Sequence, residues 1–153
     1  MPPSRPRYVT AVMGRVFAVR WRHFDPPDLA RVRAEIADVR RILGRPLTYL
    51  SLVPASARTF SPGELEALAD YLRDLLAHDC ERIHHVIAGQ GFAASARRSI
   101  VTNLALALVN PGVFHTHATL EEALTSIAGM IGVKEDQLLR DARAKGLAFP
   151  HRA

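Results

Sequence analysis

The sequence predicts an α/β domain: a small mixed sheet of about five strands with helices packed on it. Three observations lead there. Stretches with the two-residue period of a strand alternate with stretches whose apolar residues recur every three or four positions. Helix-start and helix-stop residues fall where those patterns change. The chain of 153 residues is 48% apolar, enough for one hydrophobic core and too short for several.

The first element runs from Tyr8 to Arg22, "YVTAVMGRVFAVRWR", where Phe17, Val19 and Trp21 alternate with Ala18, Arg20 and Arg22. Gly14 breaks it into a hairpin or a bulge. A helix follows, with Asp25 as cap, Pro26 at its first position and Gly44 at its end. Leu29, Val32, Ile36, Val39 and Leu43 form its apolar stripe, and core is the expected destination of that stripe. Leu47 to Val53 has the length and residue types of a strand. After "PASARTF", Ser61 and Glu64 form a capping box around Pro62, and Leu65, Leu68, Leu72 and Leu75 mark the buried side of a second helix.

Arg82 to Ala88 is the next strand, and "GQGFAAS" turns it into a third helix reaching about Val109, where Asn110, Pro111 and Gly112 stop it. A short strand "VFHTH" comes next. Thr119 and Glu122 then cap a helix whose Leu120, Ala123, Leu124, Ile127 and Ile131 share a face. A last short helix covers Lys134 to Lys145. Strands alternating with helices argue for parallel neighbours in the sheet.

The entry hairpin at Gly14, three strand-helix units and a last strand followed by "TLEEAL" resemble the STAS-like superfamily, the fold of bacterial anti-sigma factor antagonists, similar also to the lipid-binding Sec14 fold. The resemblance spans roughly Tyr8 to Ile131 and implies one STAS-like domain over residues 8–147, between tails at 1–7 and 148–153. It implies a regulatory, signalling role through protein-protein contact. Its best-known members are switched by phosphorylation of the serine in an Asp-Ser-x-Gly motif at a helix start. Here that region reads "VPASARTFSPGE", so Ser56, Thr59 and Ser61 are positional candidates without the aspartate-serine pair.

Several constellations could carry chemistry. Gly89-x-Gly91-x-x-Ala94 at a strand-to-helix turn could bring backbone amides to a phosphate, with Arg97 and Arg98 assisting. A dinucleotide site would also want an acid about 20 residues on; that place holds Phe114-His115-Thr116-His117. There is no Walker lysine, so a plain turn is the expected role and no cofactor is predicted. His115 and His117 share a strand face, and His84 or His85 could join them as zinc requires. No cysteine or carboxylate completes that set by spacing, so ordinary histidines and no metal are expected. Cys80 could be a nucleophile only with a base and an orienting group in reach, which spacing does not supply. The expectation is no catalytic residue and no enzyme.

The third helix is more informative. In "SIVTNLALALV", Ile100, Val101, Leu104 and Leu108 form a stripe, while Leu106 and Val109 fall outside it. Such a helix is enclosed or offers a surface to a partner. Ile100, Leu104, Leu106 and Val109 are therefore the expected interaction surface, for a protein partner or for a homodimer.

The formal net charge is +5, nearly all of the positive charge arginine, with Lys134 and Lys145 the only lysines. That balance favours an anionic partner. The arginines are spread along the chain, however, so a nucleic-acid partner is disfavoured. The N-terminal "MPPSRPRYVT" has no apolar core of a secretory signal, and the longest apolar run, Leu104 to Val109, is far below the ~20 residues of a membrane span. One cysteine fits a reducing compartment. A soluble, cytoplasmic protein is the expectation.

Overall fold

The computed structural model describes residues 7–22, 25–54, 60–89, 91–106 and 111–148, with the backbone alone at 92–93, 104–106 and 111. It is an α/β domain whose five strands form one sheet in the order β1-β2-β3-β4-β5. The strands are β1 (Tyr8–Met13), β2 (Val16–Trp21), β3 (Leu47–Val53), β4 (Cys80–Ile87) and β5 (Phe114–His117). The helices are α1 (Pro26–Leu43), α2 (Pro62–His78), α3 (Phe92–Leu106), α4 (Leu120–Ile131) and α5 (Glu135–Ala144).

β1 and β2 are antiparallel around Gly14, whose φ of 60° is a left-handed turn conformation suited to glycine. Every later pairing is parallel. Each crossover from β2 onward steps the same way across the sheet, and right-handed crossovers then place their helices on one face. The core shows this: Leu29, Val32 and Ile36 of α1, Leu68, Tyr71, Leu72 and Leu75 of α2, and Val101 of α3 pack with Phe17, Val19, Tyr49 and Ile83. α4 and α5, after the last strand, cover the opposite face, where Leu124, Ile127, Leu138 and Ala142 meet Val16, Ala18, Leu50, Leu52 and Val86. β3, covered on both sides, is buried at all its residues.

The caps follow the sequence with one exception. Ser61 and Glu64 close a reciprocal capping box, and the Thr119 side chain accepts from the Glu122 N–H. Asp25, expected to cap α1, makes no side-chain cap bond. The reason is local. A cap accepts from the second or third helical N–H; Pro27 has none, and the Asp28 N–H goes to the Asp25 carbonyl at 2.9 Å. The Asp25 carboxylate pairs with Arg7 instead. Two smaller differences concern length: β4 begins at Cys80, and Val113 belongs to a 3₁₀ turn over Pro111–Val113 before β5. Leu65 is only half-buried, so the buried side of α2 is carried by Leu68, Leu72 and Leu75 together with Tyr71.

Candidate functional site

The turn after β4 has both glycines at positive φ, 111° at Gly89 and 94° at Gly91, so side-chain-bearing residues would be strained there. Arg98, one helical turn and a half into α3, points back beneath it. Its guanidinium donates to the carbonyls of Ile87 at 2.8 Å and Gly89 at 3.1 Å, and to the Ser95 hydroxyl at 3.3 Å. An arginine so placed satisfies carbonyls that a strand end leaves without sheet partners. Arg97 is half-buried on the same helix. Beside Arg98 a shallow polar groove of about 480 Å³ runs between α3 and β5, lined by Ser95, Ser99, Thr102, Asn103 and Thr116. Thr102 and Thr116 share a 3.0 Å hydrogen bond that ties α3 to the sheet edge.

The histidines are brought together, on both faces of the sheet. Strand alternation sends His84 to the α4 side and His85 to the α1–α3 side. β4 and β5 pair His84 with His115, and Val86 with His117. His84, His115 and His117 therefore gather on one face. The His84 Nδ1 and His117 Nε2 atoms are 3.0 Å apart, with ring centroids 5.3 Å apart and planes 11° apart. That centroid separation equals the nitrogen-to-nitrogen distance plus the two ring radii. The rings must then lie edge to edge in one plane, bonded head-on, rather than face to face. His115 lies over His84 at 4.8 Å and 17°, an offset stack.

Head-on nitrogens suit one shared proton. A metal needs lone pairs that converge on it from different directions, at bond lengths near ~2.0–2.1 Å for zinc. Among the described residues no group of three or more His, Cys, Asp or Glu is arranged to hold a metal ion. Burial lowers the His84 pKa to about 3, helped by the neighbouring His115 and His117. Burial also lowers that of His117, where the Glu122 carboxylate pulls the other way.

His85 belongs to a different polar row. It sits beneath the helices with its pKa lowered to about 3 by burial, 3% exposed, and its Nε2 has no hydrogen-bond partner. Ser51 stands opposite it on β3 and accepts a 3.0 Å bond from the Trp21 indole N–H. Tyr71 of α2 bonds the Tyr49 hydroxyl at 2.9 Å, and burial raises the pKa of both phenols. A gap of about 10 Å³, the size one water molecule needs, lies among Trp21, Tyr49, Ser51, Phe60 and His85.

Cys80 faces the α1–α3 core, buried, its thiol pushed up to about 12 by burial and by Asp79. His85, the histidine on the same face, is five residues along the strand, on the order of 16 Å away. His84 points to the other side. A thiol buried and held neutral is not an activated nucleophile.

Sequence reasoning placed the interaction surface on α3. Ile100 is exposed there at 38%, while Val101 beside it is buried. The Leu104 and Leu106 side chains and all of Val109 lie outside the described residues, as do Ser56 and Thr59. Ser61 is exposed, but its hydroxyl is engaged as the cap of α2.

Among the described residues the most exposed large apolar ones lie elsewhere: Ile42 at 78%, Leu43 at 42% and Val133 at 43%. α1 and α4 both run back against the parallel strands, so their C-terminal ends emerge at the end of the sheet where those strands begin. The β1–β2 turn is at that end too, where the Arg15 carbonyl accepts from the Thr48 N–H at 2.9 Å. A groove of about 380 Å³ opens there, lined by Met13, Gly14, Arg15, Arg45, Ile131, Val133 and others. Ile42 had a signal in the sequence: it is an isoleucine one position off the α1 stripe, just before the Gly44 stop.

Fold and site together define a two-faced α/β domain with a histidine-linked edge and one apolar, arginine-bearing end. No family model matches the chain, and no curated protein matches it either. No described helix is long and apolar enough to cross a membrane.

Proposed function

We propose that the chain is a non-enzymatic, cytoplasmic regulatory module of STAS-like type that docks a partner protein through helical surfaces. The carrying observation is the end of the molecule where the parallel strands begin: the 380 Å³ groove lined by Ile131 and Val133 opens there, and α1 ends there with Ile42 and Leu43 exposed. Exposed apolar side chains favour association, because covering them removes apolar area from water at about 25 cal/mol per Å². Arg15 and Arg45 outnumber the one acid lining the groove, Asp141, so the complementary partner surface is an apolar segment flanked by carboxylates. The element order that resembles the anti-sigma factor antagonists supports the regulatory part of the reading. The buried thiol and the neutral, buried histidines support its non-enzymatic part, since neither offers a base or nucleophile to a substrate.

The alternative reading, an anionic or nucleotide ligand at the Gly89–Gly91 turn, has less support because the Arg98 Nη1 already donates to the turn's carbonyls.

A photo-crosslinking residue in place of Ile42, expressed in the native host, tests the reading. The expected result is one defined adduct with an acidic protein, lost when Val133→Asp is added. An adduct with a second copy, matched by a dimer mass in light scattering, would replace the partner by self-association. No adduct and a strictly monomeric mass would overturn both. Ile42→Asp should leave stability within about 0.5 kcal/mol, as for other exposed sites, which separates lost docking from lost folding.

A further inference from the structure

The bond between His84 and His117 joins β4 to β5 through their side chains, beside the backbone ladder of the two strands. β5 is a four-residue edge strand, half-buried throughout, paired on one side only. A short edge strand of that kind opens at lower cost than the centre of a sheet.

The shared proton can be assigned. His84 Nε2 is buried without a partner. A buried orphan N–H is rarer than a buried orphan acceptor, so His84 keeps its proton on Nδ1 and donates to His117 Nε2. His117 then carries its own proton on Nδ1. His115, stacked on His84, also has a buried Nε2 without a partner. The other ionisable groups that act on this pair are Arg82 and His85 on β4, His115 on β5, and Glu122 of α4. Only Glu122 is acidic, and its Oε2 already accepts the Ala118 N–H at 3.1 Å.

Added protons have nowhere favourable to go. One more proton leaves the bond intact but sets a charge among three imidazoles and Arg82. A second leaves two N–H groups facing each other with no acceptor between them. Separating the strands relieves both, because water then solvates each ring.

We infer that the His84–His117 bond, with His115 stacked on it, is an acid-sensitive latch that holds β5 and the start of α4 on the sheet and releases them as protons bind. Release bares the edge of β4 and the sheet face beneath α4. The device is independent of the docking end proposed above, which lies where the parallel strands begin.

The sign follows from linkage. A histidine with a lowered folded pKa takes up a proton on opening, so the open state gains as pH falls below about 6.5. If only His84 regains an ordinary pKa on opening, the opening constant at pH 5 is roughly thirtyfold that at pH 7.5. Amide hydrogen exchange on the full chain, corrected for the intrinsic pH dependence of exchange, measures this constant residue by residue. The expected result is a rise of at least that size at residues 114–117, through an opening that leaves the amides of β2 and β3 protected. Exchange of β5 only in step with β2 and β3, or an opening constant unchanged between the two pH values, would overturn the latch. In His84→Gln/His117→Gln the amide side chains can still bond but cannot titrate, and the rise should vanish. A rise that persisted would also overturn it. Should that variant not fold, ¹⁵N spectra of the wild-type imidazoles decide. A proton on His84 Nδ1, with both rings titrating below the ordinary imidazole value, supports the latch, and two rings titrating independently near 6.5 sink it.

Discussion

The two faces of the sheet solve the same packing problem with different chemistry. Under α1, α2 and α3 the core is aromatic and threaded with hydroxyls: Trp21 bonds Ser51, Tyr71 bonds Tyr49, and His85 lies between Tyr49 and Phe114. Under α4 and α5 it is aliphatic and small, built from Val16, Ala18, Leu50, Leu52, Ala123, Leu124 and Ile127, and its histidines gather at the β5 edge where three imidazoles meet. The difference follows from what covers each face. Three helices can enclose large rings and the polar atoms they carry, whereas two shorter helices leave the edge strand half open. At the centre of the first face the hydroxyls and the indole N–H bond one another, and only the His85 Nε2 among that row is without a partner. The polar groups at the edge of the second stand where water can reach them once the strand moves, so the same residue type serves as filling on one face and as a proton-sensitive contact on the other.

The largest test of this contrast is acid. His84 and His85 both have folded pKa values of about 3, one on each face. The unfolded chain binds more protons than the folded one between about pH 6.5 and pH 3, so stability is full above that window and falls through it. Each histidine contributes about 1.4 kcal/mol per pH unit. His117, also lowered, adds to the slope; urea denaturation at pH 7 and pH 5 should show the loss, and His85→Leu should remove the His85 share of it without removing local release of β5. An unchanged midpoint across that interval would contradict both buried, neutral histidines.

Cavity formation should come next. Phe17 is 2% exposed within the aromatic face, and Phe17→Ala should cost about 3–5 kcal/mol. Ile127→Ala, on the aliphatic face, should cost about 2–5 kcal/mol, and the difference between the two denaturation midpoints measures how far the smaller core can collapse. A smaller effect is expected from Tyr71→Phe. It removes the Tyr71 donor from the buried Tyr49 hydroxyl, which Ser51 still reaches, and should cost about 1–2 kcal/mol, read by thermal unfolding. The smallest is Ser61→Ala, which opens the capping box of α2 for about 1 kcal/mol. If it exceeded the tyrosine change, the polar row under the helices would not be the ordering feature described above.

Much of the fold was legible because it rests on local rules. The Gly14 hairpin, the Ser61 and Thr119 caps, the Gly44 stop and the alternation of β2 needed only neighbouring residues to declare themselves. Asp25 misled because its local signal was right in type but blocked by Pro27 and drawn away by Arg7, an ion pair between residues eighteen apart. The exposed end was harder still. Leu43 belongs to the α1 stripe and was expected in the core, yet its side chain is 42% exposed at the last turn, beyond the edge of what the sheet can cover.

By itself the sequence determined which residues alternate, where helices begin and end, and that His115 and His117 must share one side of a strand, since a period of two follows from backbone geometry alone. Whether they would meet His84 or His85 was decided only by the tertiary structure. Those two are adjacent in the chain and point to opposite faces, and the choice between them depended on how β5 aligned with β4 and on which side α4 closed over it. Strand register and helix placement are settled by burial across the whole sheet, a sum over distant residues that no short stretch of sequence contains.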